Sequence, residues 1–447
     1  MIASPSFAGK DYAVLGLARS GLAAAEALIA SGARVTAWDR QDIAREKLVG
    51  RATIADPLEC DLRGFAGVVV SPGVPLNTHP IAAHAARHDV PVIGDIELFA
   101  QARAHLPPHR VVGITGTNGK STTTALVHHI CSEAGLPTLM GGNIGIPILA
   151  QDALTTGGVY VLELSSYQLD LTQSLDCDIA MLLNVTPDHL DRYDGFAQYA
   201  ASKMRVFSMQ VRGKTAMVDR ASHENSAISK GPGRSFTFID DVELIGNPND
   251  WSALQGPHNR QNAAAAIAAA RALGIAEPAI DAALRSFPGL PHRMEIVGKT
   301  GGVLVVNDSK ATNPASTAPA LAAYPPTNNA RIHWIVGGLA KEDGLGECAA
   351  QLSNIKTAYT IGESGPRFAE LLSGSVTVSH CELLCEAVRR AFDAAQPGDV
   401  ILLSPACASF DQFRDYEARG DLFKQIVHAV VGGNDMQCAP NDAAVPG

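Results

Sequence analysis

A glycine-rich segment, Thr115-Gly116-Thr117-Asn118-Gly119-Lys120-Ser121, has the residue types of a phosphate-binding loop. Glycines let backbone N–H groups surround phosphate oxygens, a following helix adds partial positive charge, lysine meets the outer phosphates, and serine can bind magnesium. The strict pattern would place glycine at position 114, where this chain has Ile114. An apolar run before the loop and a helical pattern after it favour phosphate binding over a chance glycine turn. We therefore expect the chain to bind ATP here.

A carboxylate interrupts an apolar run near the middle of the chain. The run extends from Val159 to Leu164 and is apolar on both faces except for Glu163. A strand that is covered on both faces tolerates a charge only when the charge is paired or bound to a metal. Glu163 is therefore either a magnesium ligand or a carboxylate held in a structural salt bridge.

Three other apolar runs end in polar residues. The first leads into Asp188 and His189, an acid beside an imidazole, although taken alone His189 would be an ordinary loop histidine. The other two lead into Asn307-Asp308-Ser309-Lys310-Ala311-Thr312 and Gly337-Gly338-Leu339-Ala340-Lys341. Ligands of parallel sheets collect beyond the carboxyl ends of the strands, so each lysine is placed where a phosphate or carboxylate can reach it.

The elements that must position these residues are short apolar strands alternating with alanine-rich helical stretches. This alternation predicts an α/β fold of parallel sheets covered by helices. At 447 residues the chain is long enough for three domains of about 150 residues each. Proline-rich seams at Leu106-Pro107-Pro108 and Phe287-Pro288-Gly289-Leu290-Pro291 predict domains over residues 1–106, 107–292 and 293–447.

The first domain begins like a Rossmann fold, with a strand, a glycine turn, a helix and a second strand ending at Asp39. Its glycines, Gly16 and Gly21, do not have the spacing of the dinucleotide fingerprint, which weakens a nicotinamide or flavin interpretation. Asp39 is either an acceptor for a ribose or base, or a solvated carboxylate at the end of a strand.

Composition excludes several classes of function. The formal net charge of -10 and the absence of a Lys/Arg cluster argue against nucleic acid as a partner. The sequence has no targeting segment at its start and no run of roughly 18 apolar residues, so we expect no membrane insertion. These features predict a cytoplasmic protein, which we expect to be a monomer.

Several motifs, in this order along the chain, are similar to those of the Mur ligases. They are the glycine-rich loop, Leu-Glu-Leu-Ser-Ser-Tyr-Gln-Leu, Asn-Val-Thr-Pro-Asp-His-Leu-Asp, Gly-Pro-His-Asn-Arg-Gln-Asn and Asn-Asp-Ser-Lys-Ala-Thr-Asn. The resemblance spans nearly the whole chain. It implies a Rossmann-like N-terminal domain, a central P-loop ATPase-type domain and a Rossmann-like C-terminal domain. It also implies that ATP phosphorylates a substrate carboxylate, and that an amino acid then attacks the acyl phosphate to form an amide.

Within that family, Gly-Leu-Pro-His-Arg and Ser-Pro-Ala-Cys-Ala-Ser-Phe-Asp-Gln-Phe most resemble members that add D-glutamate to UDP-N-acetylmuramoyl-L-alanine. The resemblance implies contacts with the UDP-linked substrate at Leu17, Ala18, Arg19, Asp39, Arg40, Ser71 and Gly73. It implies contacts with D-glutamate at Thr312, Lys341, Ser409 and Tyr416. Tyr416 departs from the phenylalanine common in the family, which is harmless if its backbone makes the contact but alters selectivity if its ring does.

The resemblance also implies the residues that handle ATP and metal. For ATP they are Gly116, Thr117, Asn118, Gly119, Lys120, Ser121, Thr122, Asn143, His258, Asn259, Asn262, Arg293 and Asp308. Lys120, His189, Lys203 and Lys310 are implied as catalytic residues, and Ser121, Glu163, His189 and Lys203 as ligands of two magnesium ions. Lys203 occupies the place of the family's carbamylated lysine, whereas the sequence alone suggests a solvated helix lysine.

Other functions remain open at this point. A folylpolyglutamate synthetase shares the phosphate loop and the chemistry but lacks a UDP-binding domain in front. A sister ligase that adds another amino acid would differ at only a few side chains. A switch or motor NTPase would need a partner surface, and a noncatalytic nucleotide-binding module would not need Glu163 within an apolar strand.

Overall fold

The computed structural model describes residues 1–188, 192–225, 236–341 and 343–433. It has three β-sheets flanked by helices, and their strands are parallel apart from one edge strand. The predicted α/β class is therefore confirmed. No helix among the residues described is long and apolar enough to cross a membrane.

The first sheet is fully parallel and has the strand order β3-β2-β1-β4-β5. Its strands are β1 Asp11–Leu15, β2 Arg34–Trp38, β3 Thr53–Ile54, β4 Gly67–Val70 and β5 Val92–Ile93. The helices of this part are α1 Arg19–Ala30, α2 Asp42–Glu46, α3 Ile81–Ala86 and α4 Asp95–Ala102. The turn after β1 and the loop after β4 therefore lie at the same edge of the sheet.

The second sheet is also parallel, with the order β11-β10-β9-β6-β8-β7. Its strands are β6 His109–Thr115, β7 Thr138–Gly142, β8 Gly158–Glu163, β9 Ile179–Leu182, β10 Thr215–Val218 and β11 Phe236–Phe238. The helices of this part are α5 Lys120–Glu133, α6 Ser166–Asp170, α7 Phe196–Ser208, α8 Arg220–Asn225, α9 Pro257–Ala272 and α10 Glu277–Ser286. The central strands β6, β8 and β9 bring the phosphate loop, Glu163 and the segment after Leu182 to one edge.

The third sheet has the order β12-β13-β17-β14-β15-β16, in which only β12 is antiparallel to its neighbour. Its strands are β12 Glu295–Thr300, β13 Val303–Asn307, β14 Ile332–Gly337, β15 Ile355–Ile361, β16 Thr377–Glu382 and β17 Val400–Leu403. The helices are α11 Pro314–Ala322, α12 Gly365–Leu372, α13 Leu384–Ala394 and α14 Tyr416–Val431. Apolar clusters cover both faces of this sheet.

The chain forms two compact units. Unit 1 comprises Met1–Gly246 and Gln261–Leu284, and unit 2 comprises Asn247–Arg260 and Arg285–Gly447. The first two sheets share unit 1 and one continuous apolar cluster, in which the rings of Phe99 and Tyr160 are 5.0 Å apart. The three domains expected from the sequence, and the two boundaries between them, stay a prediction.

Candidate active site

The phosphate loop joins β6 to α5 and depends on glycine at two positions. Gly116 and Gly119 have φ angles of 154° and 83°. A Cβ added to Gly119, the N-cap of α5, would lie 2.3 Å from Oδ1 of Asn262. Side chains therefore cannot replace these glycines without strain, and Asn262 packs against the loop as expected for a residue near the nucleotide. Thr122 lies in the first turn of α5.

Residues after β9 hold the loop in place. The backbone oxygen of Asn184 accepts a hydrogen bond from the N–H of Thr117 (2.9 Å), and its Oδ1 accepts one from the N–H of Asn118 (2.8 Å). The hydroxyl of Thr117 also bonds to the backbone of Thr186 and to the hydroxyl of Tyr199. Neither Asn184 nor Tyr199 was among the residues expected in the site. The position of Asn184, two residues after a buried strand that ends at the same sheet edge, was the available signal.

Two lysines converge on one carbonyl of the loop. Nζ of Lys120 donates to the carbonyl oxygens of Gly116 (2.9 Å) and Thr117 (2.8 Å), and Nζ of Lys203 donates to that of Gly116 (2.8 Å). Lys203 lies on α7, is 1% exposed, and has its ammonium 4.6 Å from the ring centroid of Tyr199. Burial and the charge of Lys120 lower the pKa of Lys203 to about 7. The interpretation of Lys203 as a solvated helix lysine is therefore wrong, because α7 packs against the sheet with this side chain inward.

Glu163 ends β8 with its carboxylate buried. The side chain is 2% exposed, and Oε1 accepts a hydrogen bond from Nδ2 of Asn143 (2.9 Å). Oε2 is buried without a hydrogen-bond partner among the residues described. Within the same ranges Glu163 forms no ion pair at contact distance, although its charge acts on the buried side chain of Lys203. A buried carboxylate oxygen with an open acceptor position fits a metal ligand.

The same sheet edge can accommodate magnesium. Ser121, buried in the first turn of α5, supplies a hydroxyl near the loop. Within the described part of the chain there is no cluster of three or more His, Cys, Asp or Glu side chains that could hold a metal. The carboxylate of Glu163 and the hydroxyl of Ser121 suit magnesium, which keeps several waters and is bound by one or two carboxylates together with substrate phosphates. His189, the other expected ligand, lies outside the described residues.

The residues expected to bind the UDP-linked substrate lie at the carboxyl edge of the first sheet. Asp39 is not merely a solvated carboxylate, because its Oδ2 accepts the N–H of Leu17 (2.6 Å) and thereby shapes the turn after β1. The hydroxyl of Ser71 donates to the carbonyl of Gly16 (2.8 Å), which joins the loop after β4 to that turn. Ala18, Arg19, Arg40 and Gly73 are exposed around them.

Unit 2 brings together a second set of expected residues, at the ends of β13 and α14. Nζ of Lys310 lies 3.9 Å from the ring centroid of Tyr416, so this ring contacts the predicted catalytic lysine directly. Burial raises the pKa of Asp308 to about 7, while Oδ2 accepts a hydrogen bond from the Ser404 hydroxyl (2.7 Å) and the charge of Arg293 acts in the opposite direction. Asp308 therefore titrates near neutrality in this unit.

Two residues expected to bind the amino acid also contact each other. Nζ of Lys341 donates to the hydroxyl of Thr312 (3.3 Å). Leu339 and Ala408 exchange backbone hydrogen bonds of 2.9 Å, which bring the segment of Lys341 beside the loop that carries buried Ser409.

A buried arginine that the sequence analysis did not identify supports these loops. Arg419 on α14 is 1% exposed and donates to the backbone carbonyls of Ser309 (2.9 Å) and Cys407 (3.1 Å). Burial lowers the pKa of Arg419 to about 10. The helical pattern of α14 gives no local sign of this role, because the burial depends on loops distant in sequence.

The motif Gly-Pro-His-Asn-Arg-Gln-Asn is divided between the units. His258 and Asn259 belong to unit 2, whereas Asn262 belongs to unit 1. Burial lowers the pKa of His258 to about 4, and its Nδ1 has no hydrogen-bond partner among the residues described. Nδ2 of Asn259 donates to the carbonyl of Gln255 (3.0 Å). The nucleotide roles of these residues stay predictions.

Comparison with known proteins identifies similar chains over almost the full length. The Mur ligase middle domain matches residues 114–239, and the Mur ligase glutamate ligase domain matches residues 292–407. The UDP-N-acetylmuramoylalanine--D-glutamate ligase of Novosphingobium aromaticivorans is 63% identical over 442 residues, which are 98% of this chain and 99% of that protein. The ligase of the same name from Zymomonas mobilis is 53% identical and covers 96% of this chain and 100% of its own.

Solved structures show the same fold at low sequence identity. The MurF ligase from Thermotoga maritima in complex with ADP has a TM-score of 0.61 at 15% identity, covering 90% of this chain and 95% of that one. The UDP-N-acetylmuramate-alanine ligase from Thermotoga maritima has a TM-score of 0.58 at 17% identity, with coverages of 94% and 99%.

Proposed function

Because the chain belongs to the Mur ligase family, we propose that it is the ATP-dependent ligase that adds D-glutamate to UDP-N-acetylmuramoyl-L-alanine in peptidoglycan precursor synthesis. The observation that carries this proposal is the 63% identity with a D-glutamate ligase over 98% of the chain. That similarity includes the first sheet as well as the phosphate loop. It therefore favours this activity over a folylpolyglutamate synthetase, which lacks a UDP-binding domain in front.

The reaction activates a carboxylate before an amide can form. A carboxylate anion repels nucleophiles and carries no good leaving group, and an acyl phosphate corrects both faults. A carboxylate oxygen of the acceptor attacks the γ-phosphorus of ATP, and ADP leaves. The neutral amine of D-glutamate attacks the acyl carbon, the bond to the phosphate oxygen breaks, and the nitrogen releases one proton as the amide and inorganic phosphate form. The main task of the protein is to neutralise the charge that gathers at this centre.

The phosphate loop supplies most of that neutralisation. The N–H groups at the N-terminus of α5 would donate to the phosphates of ATP, and Lys120 would add a full charge. Asn184 fixes the loop by accepting hydrogen bonds from the N–H groups of Thr117 and Asn118, so the N–H groups at the start of α5 are positioned before ATP binds. Fixed donors need no rearrangement as charge develops in the transition state.

Magnesium would be held by Ser121 and Glu163, where it would neutralise the γ-phosphate and orient it for in-line attack. Oε2 of Glu163, which is buried without a hydrogen-bond partner among the described residues, supports this assignment. A second ion is proposed with His189 and Lys203 as ligands.

We also propose that Lys203 is carbamylated. Only a neutral amine attacks CO₂, and a pKa of about 7 makes the neutral form abundant near neutrality. The reaction joins the amine nitrogen to the carbon of CO₂ and releases a proton. Lys203, whose ammonium form is repelled by the charge of Lys120, thereby becomes an anion. The carbamate oxygens would then suit magnesium better than an ammonium group does.

In unit 2, Lys341 and Thr312 are proposed to bind a carboxylate of D-glutamate, with Ser409 and Tyr416 as neighbouring contacts. Lys310, held against the ring of Tyr416, is proposed to reach the phosphate. The burial of Arg419 beneath these loops supports a preformed site for an anionic amino acid. We further propose that the protein is cytoplasmic and that it is a monomer. Light scattering coupled to size-exclusion chromatography tests the monomer.

Phosphate release tests the proposed function directly. The purified chain is incubated with ATP, magnesium and UDP-N-acetylmuramoyl-L-alanine, and D-glutamate, L-glutamate or another amino acid is added in turn. We expect rapid phosphate release only with D-glutamate, together with one amide product per phosphate. Turnover with L-glutamate alone would overturn the stereochemical assignment, and ATP hydrolysis that ignores both co-substrates would overturn the ligase assignment.

A further inference from the structure

Arg192 connects the two sheets of unit 1. It follows the segment after β9, and its Nη2 donates to the carbonyl oxygen of Val74 (3.0 Å) and, at 3.5 Å, to that of Pro72. Its guanidinium carbon lies 4.4 Å from the ring centroid of Tyr167 on α6. The arginine is thus held against the second sheet while it reaches the loop after β4 of the first.

The loop that Arg192 reaches is adjacent to the turn after β1. A Cβ added to Gly16 would lie 2.9 Å from Cβ of Ser71 and 3.5 Å from Cγ2 of Val74. The hydroxyl of Ser71 bonds to the carbonyl of Gly16. Arg192 therefore lies at the edge of the first sheet where the N-terminus of α1 and the loop after β4 converge.

The charge of Arg192 is not neutralised by its hydrogen bonds within the described ranges. Both bonds go to backbone carbonyl oxygens, and neither goes to a carboxylate. Arg19 reaches across the same two sheets in the opposite direction, with Nη2 donating to the carbonyl of Gly145. Among the described residues, the hydrogen bonds of both guanidinium groups go to carbonyl oxygens. In a chain with a formal net charge of -10, such groups between the first and second sheets are suited to an anionic ligand.

We propose that Arg192 is a substrate-binding residue that donates to the diphosphate of the UDP-linked acceptor. This inference rests on the proposed function, which supplies a diphosphate-bearing substrate, and on the hydrogen bond by which Arg192 holds the loop after β4 beside the turn that precedes α1. The face of Tyr167 fixes the plane of the guanidinium, and a planar guanidinium matches the spacing of phosphate oxygens. Arg192 would thereby connect the diphosphate to α6, which begins three residues after Glu163.

The test compares ligands with and without the diphosphate. In the full chain, Arg192→Met removes the charge but keeps an apolar side chain, and Arg192→Lys keeps the charge but loses the planar group. Arg212→Met is the matched control, because Arg212 is exposed just before β10, at the opposite edge of the second sheet. The measurements are KM for the UDP-linked acceptor, KM for ATP, and inhibition constants for UDP and uridine.

We expect Arg192→Met to raise both the acceptor KM and the UDP inhibition constant by about tenfold or more, from the loss of a charge-assisted hydrogen bond. Uridine inhibition and KM for ATP should stay within about twofold, Arg192→Lys should be intermediate, and Arg212→Met should match the wild type. An equal weakening of UDP and uridine would overturn the proposal, because Arg192 would then act only by holding the loop. An unchanged acceptor KM would also overturn it. An inactive wild type would instead refute the proposed function.

Discussion

The neutral amine of Lys203 leads to a quantitative prediction about activation by CO₂. Burial and the charge of Lys120 lower its pKa from 10.5 to about 7. At pH 7.5 this leaves about three quarters of the amine neutral, against roughly one in a thousand for an ordinary lysine. The shift corresponds to about 5 kcal/mol of lost preference for the charged form. Carbamylation should therefore proceed at neutral pH without a catalyst.

The assay follows activity regained after CO₂ is removed. The protein is held at mildly acidic pH under CO₂-free gas, and ¹³C-labelled CO₂ is then restored at one fixed dissolved concentration between pH 6 and 10. We expect the rate of reactivation to rise with pH up to about 7 and to level off above about 8, because the amine is then fully neutral. A carbamate signal in the ¹³C NMR spectrum should grow in parallel with the activity.

Variants separate the carbamate from the lysine itself. Lys203→Ala should lose activity, and short carboxylic acids should restore part of it by supplying the missing anion. Lys203→Arg should remain inactive with or without added carboxylic acid. Lys10→Ala, at an exposed lysine of the same unit, should behave as the wild type. Full activity without label incorporation would refute the reasoning, and so would a reactivation rate that keeps rising to pH 10.

Three other predictions concern single side chains. Glu163→Gln keeps the shape of the side chain but loses the charge of a buried oxygen that has no hydrogen-bond partner in the described ranges. Its kcat should fall roughly a hundredfold or more, while the exposed control Glu133→Gln should stay active. Equal rates for the two variants would show that Glu163 is not a metal ligand. Burial lowers the pKa of His258 from 6.5 to about 4, so the stability that its neutral form contributes is complete above pH 6.5 and is lost towards pH 4, at up to about 1.4 kcal/mol per pH unit. The melting temperature of His258→Leu should therefore fall less steeply between pH 6.5 and 4 than that of the wild type. Parallel plots of melting temperature against pH would contradict this. Tyr416→Phe keeps the aromatic ring that lies 3.9 Å from Nζ of Lys310, so its kcat for phosphate release should stay within about twofold of the wild type. Tyr416→Leu removes the ring, and its kcat should fall about tenfold. Equal rates for the two variants would show that the ring is not needed.

The sequence predicted those parts of the candidate site whose conformation depends on residues that are adjacent in the chain. The loop at Gly116 to Ser121 needs glycine conformations, a strand before it and a helix after it, and all three are visible in consecutive residues. The apolar run around Glu163 likewise indicated a buried carboxylate. The apolar run that precedes Asp188 forms a strand only from Ile179 to Leu182, and Asn184 after it holds the loop by hydrogen bonds.

The amino-acid sequence by itself determined the α/β class, the phosphate loop and the edge at which the polar clusters gather, because these follow from apolar periodicity and from the permitted backbone conformations of glycine. Only the tertiary structure decided that Lys203 is buried beside Lys120, that Asn184 holds the loop, and that Arg192 reaches Val74. A lysine on a helix gives the same local pattern whether it faces water or the sheet. Its burial, and with it the lowered pKa, depends on packing between segments that are far apart in the chain.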